Sequence, residues 1–255
     1  MFSPSALKEM LTLQYHLNSG MAGDDWLRSE TQAVPFYRAA AVEANEAIDH
    51  YGYKWWKKFD REANIGQVKL ELVDIGLFVL SDEMRNTYRR HEADVLVDGT
   101  LQLEKLVALT AERISELGVI ELVTGTTDPE ERFLQMLERF AASCTMTKSA
   151  TVRQWGGLLD GINFSAQEVT LWYVGKAALN FLRDSNGQKQ NTYTKIWWGV
   201  EDNVYLESFI LRLQGTDLPE GTEFYPLFNR YLEEQYRRLM SGESALDLNT
   251  YELAS

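Results

Sequence analysis

The sequence predicts an all-α protein, and three observations carry the prediction. Apolar residues recur at helical spacing along most of the 255 residues, strand-like alternation is scarce, and only five prolines interrupt the pattern. The expected organisation is a single domain over residues 1–240 with about eight helices, followed by a loose tail over 241–255. No repeat of fixed period and no low-complexity tract argues otherwise.

The elements follow in order. Ser3 can cap a first helix through "SPSALKEMLTLQYHLN", with Pro4 in its first turn. A loop over 19–35 leads to helices over 36–51, 62–88 and 100–117. Asp128 caps "DPEERFLQMLERFAASC", with Pro129 behind it. Further helices are expected over 165–184, 201–213 and 225–240, separated by loops over 185–198 and 214–223.

Composition narrows the function. With 38 acidic against 25 basic residues the net charge is −13, which repels nucleic acid and anionic membranes. A polyanionic substrate would then need help from cations. No apolar run approaches the ~18 residues of a membrane span, and "MFSPSALKEM" lacks the basic and apolar regions of a signal peptide. The expectation is a soluble cytoplasmic protein with neither membrane nor nucleic acid as partner. Cys144, the one cysteine, excludes a disulfide within the chain and reads as an apolar filler. His16, His50 and His91 read as structural. Phosphate-binding Gly-rich loops, CxxC, HExxH and GxSxG are all absent.

What the sequence does carry is paired carboxylates. In "VEANEAIDHYGYKWWKKF", Glu43, Glu46 and Asp49 stand at three-residue steps on one helix. In "VKLELVDIGLFVL", an apolar helix that should be buried, Glu71 and Asp74 repeat the step. Stripping water from a carboxylate costs several kcal/mol, so these acids need a partner. Arg38, Lys54 or Lys69 could pair with them. Mg²⁺ is the sharper alternative, because it favours oxygen ligands and can be held by acids from facing helices. Glu43, Glu46, Glu71 and Asp74 read as ExxE, a 24-residue spacer, then ExxD, enough chain to turn one helix back on another.

A second constellation stands in residues 175–203, "GKAALNFLRDSNGQKQNTYTKIWWGVEDN". Lys176, Asn180 and Arg183 share a helix face, and Lys189, Tyr193 and Lys195 follow in the loop. Residues 176–195 hold four basic side chains against one acid, Asp184, which reverses the charge locally. Arg as a planar fork and Lys as a point charge suit phosphate, whereas the plain alternative is a solvated helix face.

These stretches resemble the dimeric all-α dUTPases, within the all-α nucleoside triphosphate pyrophosphohydrolases. "EANEAIDHYGYKWWKK" with "ELVDIGLFVL" is similar to that family's metal-binding core, "LQYHLN" with Trp26 to its uracil-side segment, and residues 175–203 to its phosphate-side segment. Residues 85–165 and the tail match nothing in the resemblance, and Gly76 stands where a bulky aromatic is expected.

The resemblance implies a homodimeric helical bundle around a four-helix metal-binding core. It also implies hydrolysis of dUTP, and of dUDP, to dUMP with release of pyrophosphate or phosphate. Glu43, Glu46, Glu71 and Asp74 would hold Mg²⁺. Two or more ions would be needed to offset a triphosphate and four carboxylates. Glu46 would take the proton of the attacking water. Gln14 and Asn18, four residues apart, carry amides that match the N3–H and carbonyls of uracil, and Trp26, Trp55 and Trp56 could supply a stacking wall. Lys54, Lys176, Asn180, Arg183, Lys189, Tyr193 and Lys195 would contact the phosphates. For the dimer, Leu171, Trp172 and Tyr173 offer an apolar run to bury against a twin. An amide can flip to suit cytosine, so a dCTP or broader pyrophosphohydrolase remains open, as does a non-catalytic nucleotide-binding helical protein.

Overall fold

The structure, a computed structural model, describes residues 2–31, 33–54, 56, 62–120, 122, 124–216, 223–248 and 251. Trp55, Lys57 and Lys58 of the KWWKK stretch lie outside the described residues, as do parts of the 214–223 loop and of the tail. Among the described residues the secondary structure is helical apart from two hairpins of two-residue strands, which agrees with the all-α expectation. The chain divides into two compact units, Met1–Tyr173 and Val174–Ser255.

The first unit contains α1 (Pro4–Ala22), α2 (Phe36–His50), α3 (Ile65–Arg90), α4 (Glu92–Val95), a hairpin of β1 (Leu96–Val97) and β2 (Thr100–Leu101), α5 (Leu103–Glu116), α6 (Pro129–Thr147), α7 (Val152–Gly161) and the start of α8 (Ala166–Ser185). Ser3 caps α1 by accepting from Ala6, and Asp128 caps α6 by accepting from Glu130. Both are the caps expected from sequence. Asn64 caps α3 by accepting the Gln67 N–H at 3.2 Å.

Because α3 is apolar almost all round, it can be covered on several sides at once. Leu70, Leu72, Val73, Ile75, Val79 and Leu80 are fully buried. Helices α1, α2, α5 and α7 pack on it, and α6 packs on α2 and α7. On α6, Cys144 is fully buried, and burial pushes its thiol up to about 12.

Helix α7 and the hairpins were not expected. At the α3–α7 contact, Gly76 admits the Trp155 indole so closely that a Cβ would lie 2.4 Å from the ring. Trp155 Nε1 donates to the Leu72 carbonyl at 2.8 Å. The bulky aromatic expected at position 76 is thus supplied from α7, and glycine is what leaves it room.

Leu171, Trp172 and Tyr173 correct another expectation. They are 8, 0 and 0 % exposed within one chain. Trp172 lies edge-on to Phe164 and beneath the Lys69 ammonium. Their apolar surface is already covered, so it requires no twin.

The second unit contains the rest of α8, a hairpin of β3 (Ile196–Trp197) and β4 (Val200–Glu201), α9 (Asp202–Gln214) and α10 (Phe224–Met240). Phe209 stacks on Tyr231 with ring centres 4.0 Å apart, and Gly175 lets Phe228 and Leu206 approach α8. The described tail residues are tied down rather than loose. Trp198 Nε1 donates to the Glu243 carbonyl, Leu246 N to Gln235, and Arg212 to the Tyr251 carbonyl. The Tyr251 ring meets Phe209 and Tyr231 edge-on. These aromatic contacts and backbone hydrogen bonds offset the entropy of ordering the segment.

Candidate active site

Helix α2 packs along α3, and the three-residue steps read in the sequence turn acids of both helices to a common point. Glu43, Glu46 and Glu71 each place a carboxylate oxygen within 4.8 Å of the others'. Glu46 is exposed, Glu43 half-buried and Glu71 buried. Asp74 stands outside that trio, one turn along α3 and half-buried, and its charge is felt by Tyr173. Three carboxylates this close repel one another unless a cation or protons intervene. An all-oxygen donor set open on one side fits a hard divalent ion.

His50, read from sequence as structural, points Nε2 at Glu71 Oε1, 3.6 Å away. It stands four residues beyond Glu46 at the end of α2, a spacing that could have linked it to the acids. Of the cations named as ion-pair partners, Lys54 pairs with Asp49, Lys69 donates to Glu168 at 3.1 Å, and Arg38 reaches Tyr37.

Gln14 and Asn18, on α1, are buried and belong to one hydrogen-bonded chain. Tyr173 Oη donates to Gln14 Oε1 at 2.7 Å, and Gln14 Nε2 to Asn18 Oδ1 at 3.0 Å. Asn18 Nδ2 donates to Ser81 Oγ at 2.8 Å, and Ser81 to the Leu77 carbonyl at 2.6 Å. Burial, and then the charge of Asp74, push the Tyr173 phenol well above its ordinary value, so it remains a donor. Trp26 is fully buried, edge-on to Phe36, and its Nε1 has no hydrogen-bond partner among the described residues. Trp56 is exposed and meets Tyr53 edge-on.

In the second unit, Lys176, Asn180 and Arg183 do share a face of α8. Both carboxylate oxygens of Asp202 accept from one edge of Arg183, Oδ2 from Nε at 2.8 Å and Oδ1 from Nη2 at 2.7 Å. Arg183 also donates to Asn180 Oδ1 and Asn203 Oδ1, and Lys176 donates to Asn203 Oδ1 at 3.0 Å. Tyr193 donates to Asp202 at 2.8 Å, and burial, reinforced by that carboxylate, raises its phenol far above the usual range. Lys189 pairs with Asp184 and Lys195 with Glu201. The fully buried Asp202 and its neighbour Asn203 therefore organise this cluster. Sequence reasoning gave them no role, although "VEDN" contains both.

An all-α architecture with converging carboxylates defines a helical protein with an acidic cluster whose oxygens are candidate ligands for a divalent cation. A family model described as dUTPase matches residues 6–188, more than half of the chain, and the chain belongs to the dUTPase family. It is an enzyme, a dUTP diphosphatase. The bounds of the match enclose residues 85–165. It stops before Lys189, Tyr193 and Lys195. No curated protein matches the chain. Among the described residues no helix is long and apolar enough to cross a membrane.

Proposed function

We propose that the chain hydrolyses dUTP, and also dUDP, to dUMP at a Mg²⁺ centre held by Glu43, Glu46, Glu71 and Asp74. The observation that carries this reading is the convergence of three carboxylates within 4.8 Å in a member of a dUTP-hydrolysing family. Two or more Mg²⁺ ions, when bound, neutralise phosphate charge and make a coordinated water more acidic. Glu46, the most accessible of the trio, takes the proton from that water. Glu71, buried and faced by His50, holds its position on α3. Gln14 and Asn18 hold the uracil edge, with Trp26 in the pocket wall. Lys54, Lys176, Asn180, Arg183, Lys189, Tyr193 and Lys195 hold the phosphates, and Arg183 exchanges Asp202 for phosphate oxygens, which present the same planar pair of acceptors. Water attacks directly, without a covalent intermediate. The enzyme works as a homodimer in the cytoplasm.

The test is release of pyrophosphate or phosphate from dUTP, dUDP, dCTP and dTTP, with Mg²⁺ and with chelator. Mg²⁺-dependent turnover favouring the uracil nucleotides is the expected result. Turnover that survives chelation removes the metal centre, and equal rates on dUTP and dCTP replace the uracil assignment with a broader one.

A further inference from the structure

We infer that Tyr173 and Ser81 set the selectivity for uracil over cytosine by fixing which way the Gln14 and Asn18 amides point. This deepens the reading above and rests on Gln14 and Asn18 holding the base. An amide that can turn over exchanges its donor and its acceptor, and so greets cytosine as well as uracil. In this chain it cannot turn freely, because both ends of the hydrogen-bonded run are committed.

At one end Tyr173, wholly buried, has a single hydrogen, given to Gln14 Oε1 at 2.7 Å. At the other end the Leu77 carbonyl can only accept, so Ser81 donates to it at 2.6 Å and presents its lone pairs to Asn18 Nδ2 at 2.8 Å. Gln14 Nε2 to Asn18 Oδ1, at 3.0 Å, closes the run between them. Every donor points the same way, from α8 through α1 to α3. At the junction between the two amides, turning Gln14 sets oxygen against oxygen and turning Asn18 sets nitrogen against nitrogen. Reversing the whole run takes the Ser81 hydroxyl from the Leu77 carbonyl, which keeps its backbone partner within α3, and strands the buried Tyr173 hydrogen, and buried polar groups such as that phenol are seldom left unpaired. Each amide nitrogen uses one of its two hydrogens here and each amide oxygen keeps a second lone pair. The run thus fixes one order of donor and acceptor for a base edge. Tyr173 and Ser81 need not touch the base. They act through Gln14 and Asn18 as positioning residues.

The test is the ratio of kcat/KM for dUTP to that for dCTP in Tyr173→Phe, Ser81→Ala and Asn18→Ala, with far-UV CD on each. Tyr173→Phe and Ser81→Ala should each shrink the ratio about tenfold or more, chiefly through KM, because the freed amide can now meet either base edge. A variant that is merely less well folded loses rate on both substrates alike and keeps the ratio. Should Tyr173→Phe fail to fold, Ser81→Ala answers alone. If Asn18→Ala collapses the ratio while Tyr173→Phe and Ser81→Ala preserve it, the positioning role is overturned and the base site stands. If Asn18→Ala preserves it, the base-site reading fails and takes this inference with it.

Discussion

Glu46→Gln keeps the size of the side chain and removes its charge, so it tests the carboxylate centre with little disturbance of packing. Turnover should fall by about a hundredfold or more, with an unchanged far-UV CD spectrum. Near-wild-type release of pyrophosphate would remove Glu46 from the chemistry. Arg183→Ala should act on two quantities at once. It strips a phosphate contact, and it leaves Asp202 buried without its fork, which costs about 3–5 kcal/mol for a buried pair broken on one side. A lowered urea midpoint together with a raised KM is the expected pair of results. An unshifted midpoint would show that Asp202 does not depend on Arg183. At this scale the acids were legible because Glu43 with Glu46, and Glu71 with Asp74, sit at the three-residue step that any helix turns into a face. Asp202 was not, since nothing in sequence ties an acid after a hairpin to an arginine 19 residues earlier. His50 was missed although its four-residue step from Glu46 was visible, because a histidine near a helix end looks the same whether or not a carboxylate from another helix faces it.

Gly76→Ala would drive a methyl group into the Trp155 ring, where the nearest atom is 2.4 Å away. Overpacking of this kind costs about 1–3 kcal/mol and should lower the melting temperature. Adding Trp155→Leu should cost less than the two single losses together, because the residues share one contact. Strict additivity in the thermal melts would dissolve the proposed coupling of α3 and α7. The long helices were readable from periodicity, capping residues and the two N-terminal prolines. Helix α7 was not, because "VRQWGGLLDG" puts three glycines in ten residues, a poor intrinsic helix former. Those glycines answer to packing: a Cβ at Gly157 would meet the Ile120 carbonyl at 2.4 Å, and one at Gly161 would meet Met136 and Phe133. The hairpins escaped for want of length. The Asp98–Gly99 pair, both at positive φ, is the turn signal that was present, but two-residue strands show no alternation.

Light scattering at micromolar concentration should report twice the 29.3 kDa chain mass if the family resemblance extends to assembly. A monomer would remove the dimer, and the run Leu171, Trp172 and Tyr173 no longer stands in its favour, since it is covered within the chain. Helical class was legible along most of the length, whereas the division into two units was not. It falls inside α8, whose periodicity runs through it unbroken. Cys144 has a use at this scale. As the one cysteine of the chain, buried on α6 with its thiol pushed up to about 12, it offers a reagent almost no thiolate in the native state. Labelling must wait for α6 to come away from its neighbours, which makes the thiol a clock for rare openings of the first unit. Iodoacetamide should therefore modify the native protein far more slowly than the urea-unfolded chain, and the ratio of the two rates gives the free energy of that opening. Equal rates would mean that the native packing gives Cys144 no protection. A nucleotide that grips α2, on which α6 packs, should make the clock run slower still.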